Sequence, residues 1–90
     1  MTTFTGGITA DTVAANLIGF LEQRTRQTVA PDLDLFGSGL VTSLFALELL
    51  VHLESTFGVA VTGNDIRLDN FRTVGAMTAL VLRLTGGEDD

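Results

Sequence analysis

The sequence predicts an all-α protein. The expected architecture is a small antiparallel four-helix bundle, with three main helices, one short one, and a long ordered loop between the first two. Three observations carry that prediction. Apolar residues recur at helical spacing in three separate stretches. Each stretch opens on a residue able to cap a helix, and the later two close on glycine. The one strand-like run, Val59-Ala60-Val61, has no partner of comparable pattern.

The elements follow in order. Met1 to Gly7 reads as a loose leader. Thr9 can cap a helix whose first turn carries Asp11, which suits the positive helix end. Val13, Leu17, Phe20 and Leu21 share one face, and Arg24 and Arg26 sit near the negative end. This first helix is expected from Ala10 to Gln27. Thr28 to Thr42 is the long connection. Pro31 blocks helix continuation, and Asp32, Asp34, Gly37 and Gly39 are loop residues. Leu33, Leu35, Phe36, Leu40 and Val41 supply apolar side chains that can pin the loop onto the helices. A loop of this length in a small domain is usually functional.

The second helix is expected from Ser43 to Phe57. Ala46, Leu49, Leu50, Leu53 and Phe57 cluster on one side, and Leu44, Glu48, Val51, His52 and Ser55 collect opposite. Leu44 and Val51 on a solvated face suit a docking surface. Phe45 and Leu47 fall on the flanks, where burial on a second side is the competing reading. Gly58 takes the usual position after the last turn. One short helical turn is expected from about Asn64 to Asn70, with Phe71 as an anchor. Thr73 can cap a last helix carrying Val74, Met77, Leu80, Val81 and Leu84. Gly86-Gly87 stops it, and Glu88 to Asp90 reads as a solvated tail. We expect one domain over residues 1–90, with its core at about 9–84.

Composition bounds the function. With 46% hydrophobic residues, ninety residues can build a compact core without staples. There is no cysteine, so disulfides and thiolate metal sites are excluded. The net charge is -6 and all basic residues are arginine, which argues against nucleic acid as a partner. The same charge favours basic protein surfaces, through long-range steering, and keeps a hydrophobic chain dissolved. The start, MTTFTGGITADT, lacks the pattern of a signal peptide. Glu48, His52 and Glu54 interrupt the most apolar run, so no membrane span is expected. The expectation is a cytoplasmic protein with no membrane contact.

Catalysis fares poorly. The single histidine, His52, lies more than two helical turns beyond Ser43, too far for a hydrogen bond between them. No G-x-S-x-G elbow surrounds Ser43. One histidine and the loop pair Asp32 and Asp34 make no metal site. Gly37-Ser38-Gly39 is no phosphate loop, since the chain has no lysine; it reads as a turn before a helix. No catalytic residue and no metal ligand is expected. Ser43 remains. It is either an ordinary N-cap or a site modified by another enzyme, and both readings stay open on the residues alone. A phosphodiester there would meet free amides and the helix dipole, yet serine is a preferred cap of any helix.

Asp34-Leu35-Phe36, Gly39-Leu40, Ser43-Leu44, Glu48-Leu49, Leu53-Glu54, Phe57-Gly58 and Asn70-Phe71-Arg72-Thr73-Val74 resemble the acyl carrier and peptidyl carrier superfamily. The resemblance covers about Thr9 to Leu84. It implies the four-helix carrier fold, no enzymatic activity, and a covalent 4′-phosphopantetheine arm on Ser43. The implied partners are a phosphopantetheinyl transferase, an acyl- or aminoacyl-loading enzyme, and a downstream synthase or acyltransferase. The carrier itself is expected as a monomer that docks through Leu44, Phe45, Glu48 and Val51. Two departures stand out. Thr42 replaces the aspartate that commonly precedes the modified serine, removing a carboxylate near the transferase metal. Phe45 stands where many fatty-acid carriers have an acidic residue, so the docking face is less acidic.

The string from Leu35 through Leu47 looks most like freestanding carriers for unusual extender units in polyketide or hybrid nonribosomal pathways, including antibiotic biosynthesis. Such cargo is glyceryl- or malonyl-type. The alternatives are an aminoacyl carrier of a nonribosomal pathway and an unmodified helical adaptor.

Overall fold

The structure is a computed structural model, and it describes residues 8–85. The expected leader at 1–7, the Gly86-Gly87 stop and the tail to Asp90 lie outside the described residues. Three α-helices form: α1 Ala10–Thr25, α2 Ser43–Phe57 and α3 Val74–Thr85. Two 3-10 turns, Gly63–Asp65 and Leu68–Phe71, lie between α2 and α3. No strand occurs among the described residues. The all-α prediction holds, with the short fourth helix present as two separate 3-10 turns. Gly63 starts the first with a positive φ of 58°, and Arg67 is extended between them (φ -139°, ψ 140°). So short a segment cannot recover the cost of nucleating an α-helix.

Local chemistry sets the helix ends. Thr9 and Thr12 form a reciprocal capping box at α1, each side chain accepting from the other's backbone amide. Thr73 caps α3, its Oγ1 accepting from Ala76 N at 2.9 Å. Gly58 ends α2 in the left-handed conformation (φ 69°), donating its N–H to Glu54 O. α1 stops two residues short of the expected Gln27. Arg26 turns left-handed there (φ 60°), an unusual conformation for a residue with a side chain. Glu22 holds the turn: its backbone carbonyl accepts from Arg26 N and its carboxylate from Val29 N.

α1 and α2 run antiparallel. Arg24 meets Glu48, Phe20 meets His52, and Asn16 also meets His52, so the contacts advance in opposite directions along the two helices. One hydrophobic cluster joins everything. α1 contributes Val13, Leu17 and Leu21; α2 contributes Leu49, Leu53 and Phe57; α3 contributes Val74, Met77, Leu80 and Val81. Each fully buried leucine stabilises the fold by about 1.5–3 kcal/mol relative to exposure.

The α1–α2 loop is ordered, as expected. Val29, Leu35 and Val41 enter the core. Leu35 N donates to Arg72 O at 2.8 Å, and Gly75 N donates to Pro31 O at 3.0 Å, tying the loop to the approach and first turn of α3. Asp34 organises the turn before α2. Its Oδ1 accepts from Gly37 N at 2.8 Å, and its Oδ2 lies 3.6 Å from Arg72 Nη1. A Cβ on residue 37 would fall 2.5 Å from the Asp34 carboxylate, so any larger residue there would push that carboxylate off its bond to the residue 37 amide. Gly39 follows at φ 81°, which is glycine territory. The Gly37-Ser38-Gly39 run is therefore a specified bend that aims the chain at the start of α2.

Candidate functional site

The site is the start of α2, delivered by this bend. Thr42 is the N-cap. Its backbone is extended (φ -95°, ψ 166°), and its Oγ1 accepts from Phe45 N at 3.1 Å. Its carbonyl accepts from Ala46 N at 3.0 Å. This corrects the capping reading of Ser43, which is instead the first helical residue. The capping position falls one residue earlier because the bend at Gly39 leaves Thr42, not Ser43, in the extended conformation that a cap needs.

The Ser43 side chain is exposed, and its hydroxyl makes no hydrogen bond among the described residues. The amides of Ser43 and Leu44 likewise have no acceptor among the described residues. An exposed hydroxyl beside two unpaired amides at a helix N-terminus suits an ester of a phosphate group. Threonine in place of aspartate at residue 42 keeps the cap, since both are good caps. What it gives up is a negative charge beside the hydroxyl.

Ser43 opens on an apolar groove of about 200 Å³. One wall is Ser43, Ala46, Leu47 and Leu50 of α2; the other is Ile66, Arg67, Leu68 and Phe71 of the 3-10 turns. A larger hollow of about 400 Å³ lies between α1 and α2, lined by Phe20, Arg24, Leu47, Glu48, Val51 and His52. Ser43 does not line this larger hollow; it lines the smaller groove.

The α1–α2 hollow is an aromatic and charged cluster. Arg24 Nη1 contacts Glu48 Oε1 at 2.6 Å, and its guanidinium lies 4.9 Å from the Phe20 ring centre and 5.7 Å from that of Phe45. The Phe20 and Phe45 rings are near-parallel, with centres 6.3 Å apart. His52 stacks on Phe20 at 4.0 Å. Its Nε2 lies 2.7 Å from Asn16 Oδ1 and its Nδ1 3.4 Å from Thr56 Oγ1. Burial first, and then the charge of Arg24, pushes the His52 pKa below its ordinary value of 6.5. The neutral ring with its proton on Nε2 satisfies both neighbours.

The residues expected on one docking face divide. Leu44 and Val51 are exposed, at 76% and 59%. Glu48 is exposed but paired with Arg24. Phe45 is half-buried and turned onto Phe20 and Arg24 of α1. Leu47, expected on a flank with burial as the competing reading, is 58% exposed and lines both hollows. Its position one helical turn beyond Ser43 was the available signal. Arg67 was missed altogether; nothing local distinguishes it from any loop arginine.

Among the described residues no group of three or more histidine, cysteine or acidic side chains could hold a metal ion. No described helix is long and apolar enough to cross a membrane.

Comparison with known proteins agrees with this geometry. A family model described as a phosphopantetheine attachment site matches residues 11–81. The D-alanyl carrier proteins of Streptococcus pyogenes serotype M5 (strain Manfredo), serotype M49 (strain NZ131) and serotype M1 are each 44% identical over 43 residues. That match covers 48% of this chain and 54% of each relative, so the chain spans about half the length of the curated relatives it matches. The family match takes in all of α2, most of α1 and α3 and the 3-10 turns between them, and it implies 4′-phosphopantetheine as the prosthetic group. The chain belongs to the phosphopantetheine-binding carrier proteins, a family that holds its cargo and performs no catalysis.

Proposed function

We propose that Ser43 carries the 4′-phosphopantetheine arm. The observation that supports this reading is the release of Ser43 from capping: Thr42 holds the helix start, and the Ser43 hydroxyl is exposed and unbonded within the family match. In the modification step the Ser43 oxygen bonds to the β-phosphorus of coenzyme A. The pyrophosphate bond breaks, adenosine 3′,5′-bisphosphate leaves, and the hydroxyl proton passes to a base on the transferase, which brings its own magnesium. The arm's thiol then holds an acyl group as a thioester.

The carrier shuttles that acyl group between a loading enzyme and a downstream synthase or acyltransferase. The pathway is polyketide or hybrid polyketide/nonribosomal, and the cargo is a glyceryl- or malonyl-type extender unit, following the resemblance of the Leu35–Leu47 string. The protein acts as a monomer in the cytoplasm. Partners dock on the α2 face bearing Leu44, Glu48 and Val51, to which Leu47 is added; Phe45 supports that face from beneath. Because Arg24 holds the Glu48 carboxylate, this face meets its partner chiefly through apolar contact. The relatives' designation as D-alanyl carriers favours a second reading, an aminoacyl cargo.

Intact mass after incubation with coenzyme A and a promiscuous transferase tests the attachment. The expected result is one phosphopantetheine adduct, absent in Ser43→Ala. No adduct with any of several transferases would leave an unmodified adaptor. Offering the modified protein to loading enzymes with glyceryl, malonyl-type and amino-acid donors separates the two cargo readings.

A further inference from the structure

The groove beside Ser43 contains a cation without a partner. Of the exposed large hydrophobic residues, Leu47, Ile66 and Leu68 all line it, at 58%, 55% and 51% exposure. Arg67 is the charged residue among them. Its side chain makes no ion pair or hydrogen bond among the described residues, whereas Arg24 is held by Glu48, and Arg72 by Asp69 and Asp34.

The backbone around Arg67 is fixed. Arg67 N donates to Asp65 O at 3.0 Å, Asn70 N donates to Arg67 O at 3.0 Å, and Asn70 Nδ2 donates to Asp65 O at 2.9 Å. The neighbouring Asp69 carboxylate is engaged by Arg72. An unpaired guanidinium thus stands in an apolar groove on a chain of net charge -6. Its fork of donors matches the oxygens of a phosphate.

We infer that Arg67 pairs with the phosphodiester of the arm and so directs the arm along the groove walled by Leu47, Leu50, Ile66 and Leu68. This rests on Ser43 being the attachment site. The phosphodiester is bonded to Ser43, which lines the same groove, so its charge is held there whatever the cargo. Pairing would neutralise the arm's fixed charge and leave its uncharged remainder against apolar side chains.

The test compares unmodified and modified full-length protein by NMR, for wild type, Arg67→Gln and Arg67→Lys, with intact mass establishing complete modification first. In wild type the Ile66 and Leu68 methyl resonances shift on modification, and the phosphorus resonance of the arm moves between low and high salt as the pair is screened. In Arg67→Gln both effects fall to less than half. In Arg67→Lys, which keeps the charge and loses the fork, they are intermediate. Circular dichroism of the unmodified variants matches wild type, because Arg67 is exposed. Absence of the adduct on wild type would overturn the attachment reading itself. Full modification with equal methyl and phosphorus responses in wild type and Arg67→Gln, or with no response in either, would overturn only the pairing. Responses seen only after loading a malonyl group would assign the anion to the cargo's carboxylate and also overturn it.

Discussion

Replacing Thr42 and Ser43 one at a time should separate two roles that neighbouring hydroxyls could share. Thr42→Ala removes the acceptor 3.1 Å from Phe45 N. Loss of an N-cap side chain costs about 0.5–2 kcal/mol, typically about 1. Thr42 is exposed, so water takes over part of the lost bond, and we expect about 1 kcal/mol. For a domain of this size that lowers Tm by about 4–8 °C. Ser43→Ala removes no hydrogen bond among the described residues and places a stronger helix former at the first helical position. Its Tm should equal or slightly exceed that of wild type, while modification is abolished.

Thr42→Asp completes the series. It keeps the cap, adds a negative charge at the positive helix end worth about 0.3–1 kcal/mol, and supplies the carboxylate that the carrier resemblance leads one to expect there. Tm should hold or rise, and a generic transferase should modify it faster. Far-UV circular dichroism is the suitable probe, because the chain has neither tryptophan nor tyrosine to report by fluorescence. Intact mass follows modification. A Tm loss in Ser43→Ala as large as in Thr42→Ala would show that Ser43 shares the cap and refute the division of roles.

Three further outcomes concern the exposed face of α2 and the α1–α2 cluster beneath it. Docking through an apolar face predicts that Leu44→Ala lowers kcat/KM for cognate transfer about tenfold, or about 1.4 kcal/mol, with an unchanged circular dichroism spectrum. Glu48→Gln should have little effect, since its exposed pair with Arg24 is worth at most about 1 kcal/mol; a steep fall in transfer with added salt or in Glu48→Gln would instead identify an electrostatic dock. The depressed His52 pKa gives a pH dependence of stability. The unfolded chain binds the proton more tightly, so the stabilisation is fully present above pH 6.5 and is lost as pH falls through 6.5 toward the folded value. Urea midpoints at pH 7.5 and 5.5 should fall in wild type and fall less in His52→Gln, and parallel losses would exclude His52 as the cause.

Local interactions explain how much of the fold was legible. Helical spacing identified the buried faces of all three helices, because neighbours three and four residues apart share a side wherever the helix sits. Thr9, Gly58 and Thr73 marked their helix ends by chemistry confined to a single turn. The end of α1 was not legible. Its left-handed residue is an arginine, and the turn is held by a glutamate side chain reaching the loop seven residues on. The choice between Thr42 and Ser43 as cap was also hidden, since both side chains can cap and the backbone angle decides between them.

By itself, then, the sequence determined the helices, their apolar faces, the ordered loop and the resemblance centred on Ser43. Each depends on residues close together in the chain. Only the tertiary structure decided what those helices present to a partner. It paired Arg24 with Glu48, turned Phe45 onto Phe20, left Leu44 and Leu47 in solvent, and brought an unpaired Arg67 into the groove that Ser43 opens on. These contacts join residues distant in sequence, and their geometry comes from how the helices pack, which no local pattern encodes.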